Sequence, residues 1–179
     1  TLPTDPIQHI DGEGEIALCI LSAINVGKID KRDELEPLCD LSVRALDEII
    51  DHQGYPVKAA EISTKARRSL GIGYIGLAHY LAKKGYRYDQ KLAWRQVDKL
   101  TEAFQYYLLK SSLEVAKEKG KCEYFDRTKY SDGILPVDTY KKDVDELVSN
   151  RTFTYDWEHL RKEIKEHGLR HSTLSAQMP

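Results

Sequence analysis

The chain has 179 residues, of which 41% are hydrophobic and 31% charged, with a formal net charge of −2. This balance describes a globular chain of one domain or a large part of one, and it excludes a disordered composition and a membrane bundle. A net charge so near zero gives no general attraction for nucleic acid, and three scattered cysteines do not make the framework of a disulfide-rich secreted domain.

Residues 1–14 carry two prolines and two glycines and read as a loop. The N-terminus has neither a basic n-region nor an apolar h-region, so no signal peptide is expected and the cytoplasm is the default location. The chain opens without Met and closes on Met178-Pro179, which we read as two possible cuts in a longer protein. Residues 16–26 form an apolar run, bounded by Gly14 and Gly27, that reads as a strand buried on both faces. Residues 33–52 place Leu35, Leu38, Leu41, Val43, Leu46, Ile49 and Ile50 near the rhythm of an amphipathic helix, which Gly54 and Pro56 stop. Residues 69–74 read as a short strand or a turn, and residues 75–84 as a helix closed by Gly85. A long helix is expected over 92–119, a connection over 121–140, helices over 140–149 and 156–167, and a last strand over 171–178. Strands alternating with helices predict an α/β fold with parallel strands. Three strands are too few for a closed barrel, which again points to part of a larger fold.

Five features invite a chemical reading. Gly71-Ile72-Gly73-Tyr74-Ile75-Gly76 matches GxGxxG, but a dinucleotide site needs a strand before the glycines and an acid about 20 residues later. The preceding Lys65-Ala66-Arg67-Arg68-Ser69-Leu70 is too basic for a buried strand, so tight helix–strand packing is the better reading. Arg67-Arg68 has the forks to bind phosphate, yet such a pair is more often solvated or bridged to a carboxylate. Tyr106-Tyr107 points in two directions on a helix, one ring to the core and one to its margin. Cys39 lies by the apolar stripe of its helix and reads as packing. Cys19 lies in the apolar run 16–26 and, on local pattern alone, also reads as packing, because a reactive thiol needs access and a partner. No cysteine or histidine spacing suggests a metal site.

The order of segments adds a second kind of information. LPT (2–4), GEIALCILSAINVGKI (14–29), DHQGYPVKAAE (51–61), RRSLGIGYIGLAHYLAKKG (67–85), EAFQYYLLKSSLEVAKEKG (102–120), GILPVDTYKKDV (133–144) and YDWEHLRKEIKEHGLRHSTLSAQMP (155–179) together resemble the catalytic domain of the large subunit of class I ribonucleotide reductase. The resemblance covers essentially the whole chain. It implies an α/β fold that is part of a ten-stranded α/β barrel, with about three strands and their helices in this chain. Residues 1–179 then form the central segment of that barrel domain, beginning after its finger loop and ending where its phosphate-binding loop starts.

The activity implied is replacement of the 2'-hydroxyl of a ribonucleoside diphosphate by hydrogen through thiyl-radical chemistry. Cys19 matches one half of the family's redox-active cysteine pair, and Pro179 matches the start of the loop that holds the substrate's phosphates. The thiyl cysteine, the other half of the pair and the relay tyrosines match nothing in this chain. No cofactor is therefore expected here; the family's di-metal/tyrosyl radical resides in the small subunit, and ATP and dNTP effectors bind outside this segment. The implied partners are the ribonucleoside diphosphate, the small subunit, thioredoxin or glutaredoxin, and a second large subunit, with neither nucleic acid nor membrane. The competing readings are a non-catalytic scaffold that uses Cys19 for packing and, more weakly, a nucleotide-binding oxidoreductase.

Overall fold

The computed structural model describes residues 6–10, 13–148 and 151–175. Pro179 and the last residues of the expected 171–178 strand lie outside them. The described chain opens with an antiparallel pair, β1 (Pro6–Ile10) and β2 (Glu13–Ile16), where composition predicts a loop. The expected strand over 16–26 is likewise two elements. β2 ends at Ile16, and after a three-residue break β3 (Ile20–Asn25) begins. Cys19 sits in that break, one residue ahead of β3, rather than inside a strand.

Helix α1 (Leu35–His52) forms as its pattern predicts, because Leu35, Cys39, Val43, Leu46 and Ile50 recur at three- and four-residue intervals and all are buried. Helix α2 (Lys58–Arg67) has no such stripe. Its buried face is Ala60, Ser63, Thr64 and Ala66, small residues that a search for large apolar periodicity passes over. It ends at Arg68, whose φ of 49° is the one positive value among described non-glycine residues. β4 (Leu70–Ile75) follows, then α3 (Leu77–Lys83), closed as expected by Gly85 at φ +73°. The long α4 (Lys91–Lys119) matches the 92–119 expectation and spans about 44 Å at 1.5 Å per residue. The helix expected over 140–149 is much shorter. Two single turns, α5 (Pro136–Thr139) and α6 (Val144–Leu147), occupy this region before α7 (Trp157–His167) and the short β5 (Leu174–Ser175). Among the described residues no helix is long and apolar enough to cross a membrane.

β3, β4 and β5 form one parallel sheet in that order, with Ile20 opposite Leu70, Ile24 opposite Tyr74, and Leu70 opposite Leu174. Ile24, Leu70, Ile72, Tyr74 and Leu174 are buried in the core with residues of α1 and α4. Tyr74 meets Phe104 of α4 edge-to-face at 5.4 Å, and its hydroxyl lies 3.0 Å from Thr101 Oγ1. The other face is largely open in this chain: Leu21 is 48% and Ile75 43% exposed, and Ala23 and Asn25 are also exposed, while Gly71 and Gly73 of β4 are buried. The expectation of a strand buried on both faces is therefore met on one face of β3 only, because nothing in these residues packs on the second.

The GxGxxG glycines are not a phosphate turn. Gly71 and Gly73 lie within β4, paired with Leu21 and Ala23, and only Gly76 (φ +77°) turns the chain into α3. A Cβ on Gly76 would collide with Asn25 Oδ1, which accepts the Gly27 N–H at 3.1 Å. We expect Gly76→Ala in the full-length chain to lower stability by about 1–3 kcal/mol, from a strained φ and this clash. An unchanged unfolding temperature would show that the turn relaxes without cost.

Candidate functional site at the head of the parallel sheet

The leading ends of β3, β4 and β5 lie side by side. The Ile20 N–H donates to Ser69 O at 3.2 Å and the Leu70 N–H to Thr173 O at 2.9 Å, so Cys19, Ser69 and Thr173 form one row. The segment leading into Cys19 is fixed from the other side by Glu15 of β2, which is wholly buried. Glu15 accepts from Arg67 Nε at 3.0 Å and from the Tyr124 hydroxyl at 3.1 Å. Arg67 and Arg127 cover the Tyr124 ring at 4.7 and 4.4 Å from its centroid. A cleft of about 340 Å³, lined among others by Arg67, Arg127, Lys129, Ser172 and Thr173, opens at this end of the sheet.

Cys19 is half-buried, and burial pushes its thiol up to about 11, so it is protonated at neutral pH. Its Sγ lies 3.7 Å from Ile20 O. Period-2 alternation, carried one residue back from Ile20, puts Cys19 on the face of Leu21, Ala23 and Asn25, the open face. The other two thiols differ. Cys39 is buried within α1, and burial pushes it up to about 12; Cys122 is buried behind α4, and burial pushes it up to about 11 despite the Tyr124 N–H. All three are free, so no disulfide forms within the chain. Cys39 therefore packs, as its helical position predicts.

Behind the sheet head lies a buried polar network whose centre, Asp47 of α1, the sequence did not single out. Asp47 is fully buried and takes Arg68 Nε at 2.7 Å, Arg170 Nε at 3.2 Å and His171 Nε2 at 3.2 Å. Arg68 also donates to the Asp47 carbonyl at 2.9 Å and grips both Asp51 oxygens at 2.8 Å. Burial opposes ionisation of Asp47, but the His171 hydrogen bond and the Arg68 and Arg170 charges outweigh it and hold its carboxyl well below the usual range. His171 is wholly buried and flanked by two guanidinium groups; its pKa is lowered, and the ring is neutral. Nε2–H then donates to Asp47, and Nδ1 accepts from Ser112 Oγ at 2.9 Å. Ser112, His171 and Asp47 have the residue types of a hydrolytic triad, but all three are buried from any substrate.

Both members of Arg67-Arg68 are thus bridged to carboxylates, the second of the two ordinary fates expected for such a pair. Tyr106 and Tyr107 depart from expectation, since both are half-buried. Tyr106 stacks on Tyr155 at 4.6 Å, and Tyr107 accepts from the Tyr155 hydroxyl at 3.2 Å. The 155 ring holds both at the margin because Glu102, buried on α4, ties its loop down by accepting from Thr154 N, Tyr155 N and Trp157 Nε1. Among the described residues one group, Glu163, Glu166 and His167, brings three ligand atoms together, but Lys117 already holds Glu163 at 2.9 Å.

Comparison with known proteins identifies the family. A family model described as ribonucleotide reductase, barrel domain, matches residues 4–179. The ribonucleoside-diphosphate reductase subunit alpha of Haemophilus influenzae is 60% identical over 179 residues, covering 99% of this chain and 24% of the relative. The corresponding subunit of Enterobacteria phage T4 is 41% identical over 180 residues, covering 99% of this chain and 23% of the relative. The ribonucleoside-diphosphate reductase 1 subunit alpha of Escherichia coli K12 is 56% identical over 130 residues, 73% of this chain and 17% of the relative. The chain thus spans about a quarter of the length of the curated relatives it matches. Its parallel strands with intervening helices, open on one sheet face, are part of an α/β barrel, and the chain belongs to the ribonucleotide reductase barrel-domain family.

Proposed function

We propose that this chain is the central part of the catalytic barrel of a ribonucleoside-diphosphate reductase large subunit, and that Cys19 is one thiol of its redox pair. The observation that carries the reading is the placement of Cys19. It is the only one of the three thiols that is not buried, and it stands one residue ahead of β3, level with Ser69 and Thr173 at the head of the sheet. β3 is also an edge of the described sheet, so its free side can accept the strand that bears the second thiol. Neighbouring strands lie about 4.7–4.9 Å apart, within the ~4.4–6.8 Å Cα separation a disulfide needs.

The overall step balances as one ribose C–OH and two thiols giving one C–H, one disulfide and one water. The two thiols are oxidised, the 2'-carbon is reduced, and the hydroxyl leaves with a proton. A thiol held protonated by burial suits a step that consumes protons as well as electrons. Pro179 opens the loop that takes the substrate's phosphates. The radical comes from the small subunit, effector nucleotides bind elsewhere in the longer chain, and thioredoxin or glutaredoxin resets the disulfide. A large-subunit dimer working in the cytoplasm completes the reading. The test compares the isolated 179 residues with the full-length chain, each mixed with the small subunit. Deoxyribonucleotide formation is expected from the full chain alone, and turnover by the isolated chain would overturn the assignment of the missing thiols to other segments.

A further inference from the structure

At the opposite end of β3 from Cys19, a cleft of about 120 Å³ opens between the turn after β3, α3 and α4. Its floor is apolar, made by Val26, Leu35, Leu100 and Ala103, all buried. Tyr80 forms one wall. Four cations stand around it: Lys31, Arg32, Lys84 and Lys99. The one carboxylate in the lining, Asp30, is already held by Lys83. The Lys31 and Lys99 ammonium groups have no ion-pair or hydrogen-bond partner among the described residues. Lys84 rests over the Tyr80 ring at 5.0 Å, and Arg32 reaches only the Tyr155 hydroxyl at 3.5 Å and its ring at 5.9 Å. Cations elsewhere are commonly matched, as Arg44 is by Glu118 at 2.6 Å, Lys117 by Glu163 at 2.9 Å and Lys121 by Asp126 at 2.8 Å. Four exposed cations thus line one concave apolar floor beside one committed carboxylate, so an anion placed there meets a net positive field.

From this geometry we propose that the cleft binds a small ring-bearing phosphate. The ring lies on the floor beside Tyr80, and the phosphate meets Lys31, Lys84 and Lys99. The volume is of the scale that takes one ring, since an apolar cavity of about 150 Å³ holds benzene. Phosphate suits this rim better than carboxylate, because it carries about −1.5 to −2 charges at neutral pH and three acceptor oxygens. The inference is independent of the role given to Cys19 and concerns a different end of the sheet.

The test uses the full-length large subunit with substrate and effector nucleotides saturating, and titrates phenyl phosphate by calorimetry. One further saturable site per chain is expected, with a Kd of about 1 mM or tighter. The double variant Lys31→Gln/Lys99→Gln removes two exposed charge-assisted contacts. It should weaken phenyl phosphate at least ~10-fold while leaving nucleotide reduction and the unfolding temperature unchanged. Phenol and inorganic phosphate should each bind more weakly than phenyl phosphate. Absence of saturable binding, equal affinity in the double variant, equal binding of inorganic phosphate, or another segment of the long chain seated in the cleft would each overturn the proposal. Binding is read without turnover, so a failure here is distinct from a failure of the reductase reading.

Discussion

Cys19→Ser in the full-length chain is expected to reduce dithiol-supported deoxyribonucleotide formation to background, while substrate binding and the unfolding temperature stay near wild type. Serine has nearly the same shape but cannot enter a disulfide, so the pair can neither supply two electrons nor be reset by exchange. The site is half-buried and its Sγ makes one weak hydrogen bond, which a serine hydroxyl can also make. Cys39→Ser and Cys122→Ser are the controls. Both replace a thiol in a buried site with a hydroxyl, which costs about 1–3 kcal/mol of stability and should leave turnover per folded chain intact. The raised Cys19 pKa of about 11 adds a pH signature. Only the thiolate is alkylated, so alkylation at Cys19 should quicken about tenfold per pH unit between pH 7 and 10. Undiminished dithiol turnover in Cys19→Ser would remove Cys19 from the redox pair and leave the family membership untouched.

Asp47→Asn is expected to lower stability more than Gly76→Ala, Cys39→Ser or Cys122→Ser. The carboxylate is wholly buried and is shared by Arg68, Arg170 and His171. Removing its charge leaves two guanidinium groups short of a partner in a dry site, a loss of about 3–5 kcal/mol. It also weakens one of the contacts that hold Arg68 in its left-handed conformation. The exposed pair Lys65–Glu61 is the contrast, since both groups stay hydrated and its loss should leave the unfolding temperature nearly unchanged. Thermal unfolding of both variants in the full-length chain measures the difference, and a loss below about 1 kcal/mol in Asp47→Asn would show that the network does not hold the sheet head.

The same network fixes a pH dependence. His171 has a lowered pKa in the fold, so the unfolded chain takes up a proton near pH 6.5 that the folded chain refuses. By linkage, stability contributed by this site is present above that pH and declines as pH falls below it. Asp47, also lowered, adds a second decline as pH drops through the ordinary carboxylate range. The unfolding temperature should therefore fall between pH 7 and pH 5, and by less in His171→Asn. Identical profiles for wild type and variant would remove His171 as the source.

Much of this protein is legible in its residues, and the failures share a cause. α1, α4 and α7 follow from apolar spacing within single helices, and the Gly85, Gly120 and Gly168 ends follow from their need for positive φ. α2 escapes because Ala, Ser and Thr fill its buried face. The β1–β2 hairpin escapes because its prolines and glycines describe a loop as well as an irregular pair. Local pattern also makes Cys19 a packing residue. Only the ordered resemblance along the whole chain points to redox chemistry, because the partner thiol is not in this sequence.

Local periodicity and the order of segments settle α1, α3, α4 and α7, the parallel α/β class and the family. The tertiary structure alone decided which charges meet. Asp47 and His171 are 124 residues apart and touch only because α1 and the lead into β5 pack on one sheet. Lys31 and Lys99 share a rim only because α4 crosses beside the turn after β3. The exposure of Cys19 is of the same kind. Burial is a property of what packs on a strand, and in this sheet the helices cover one face and leave the other open.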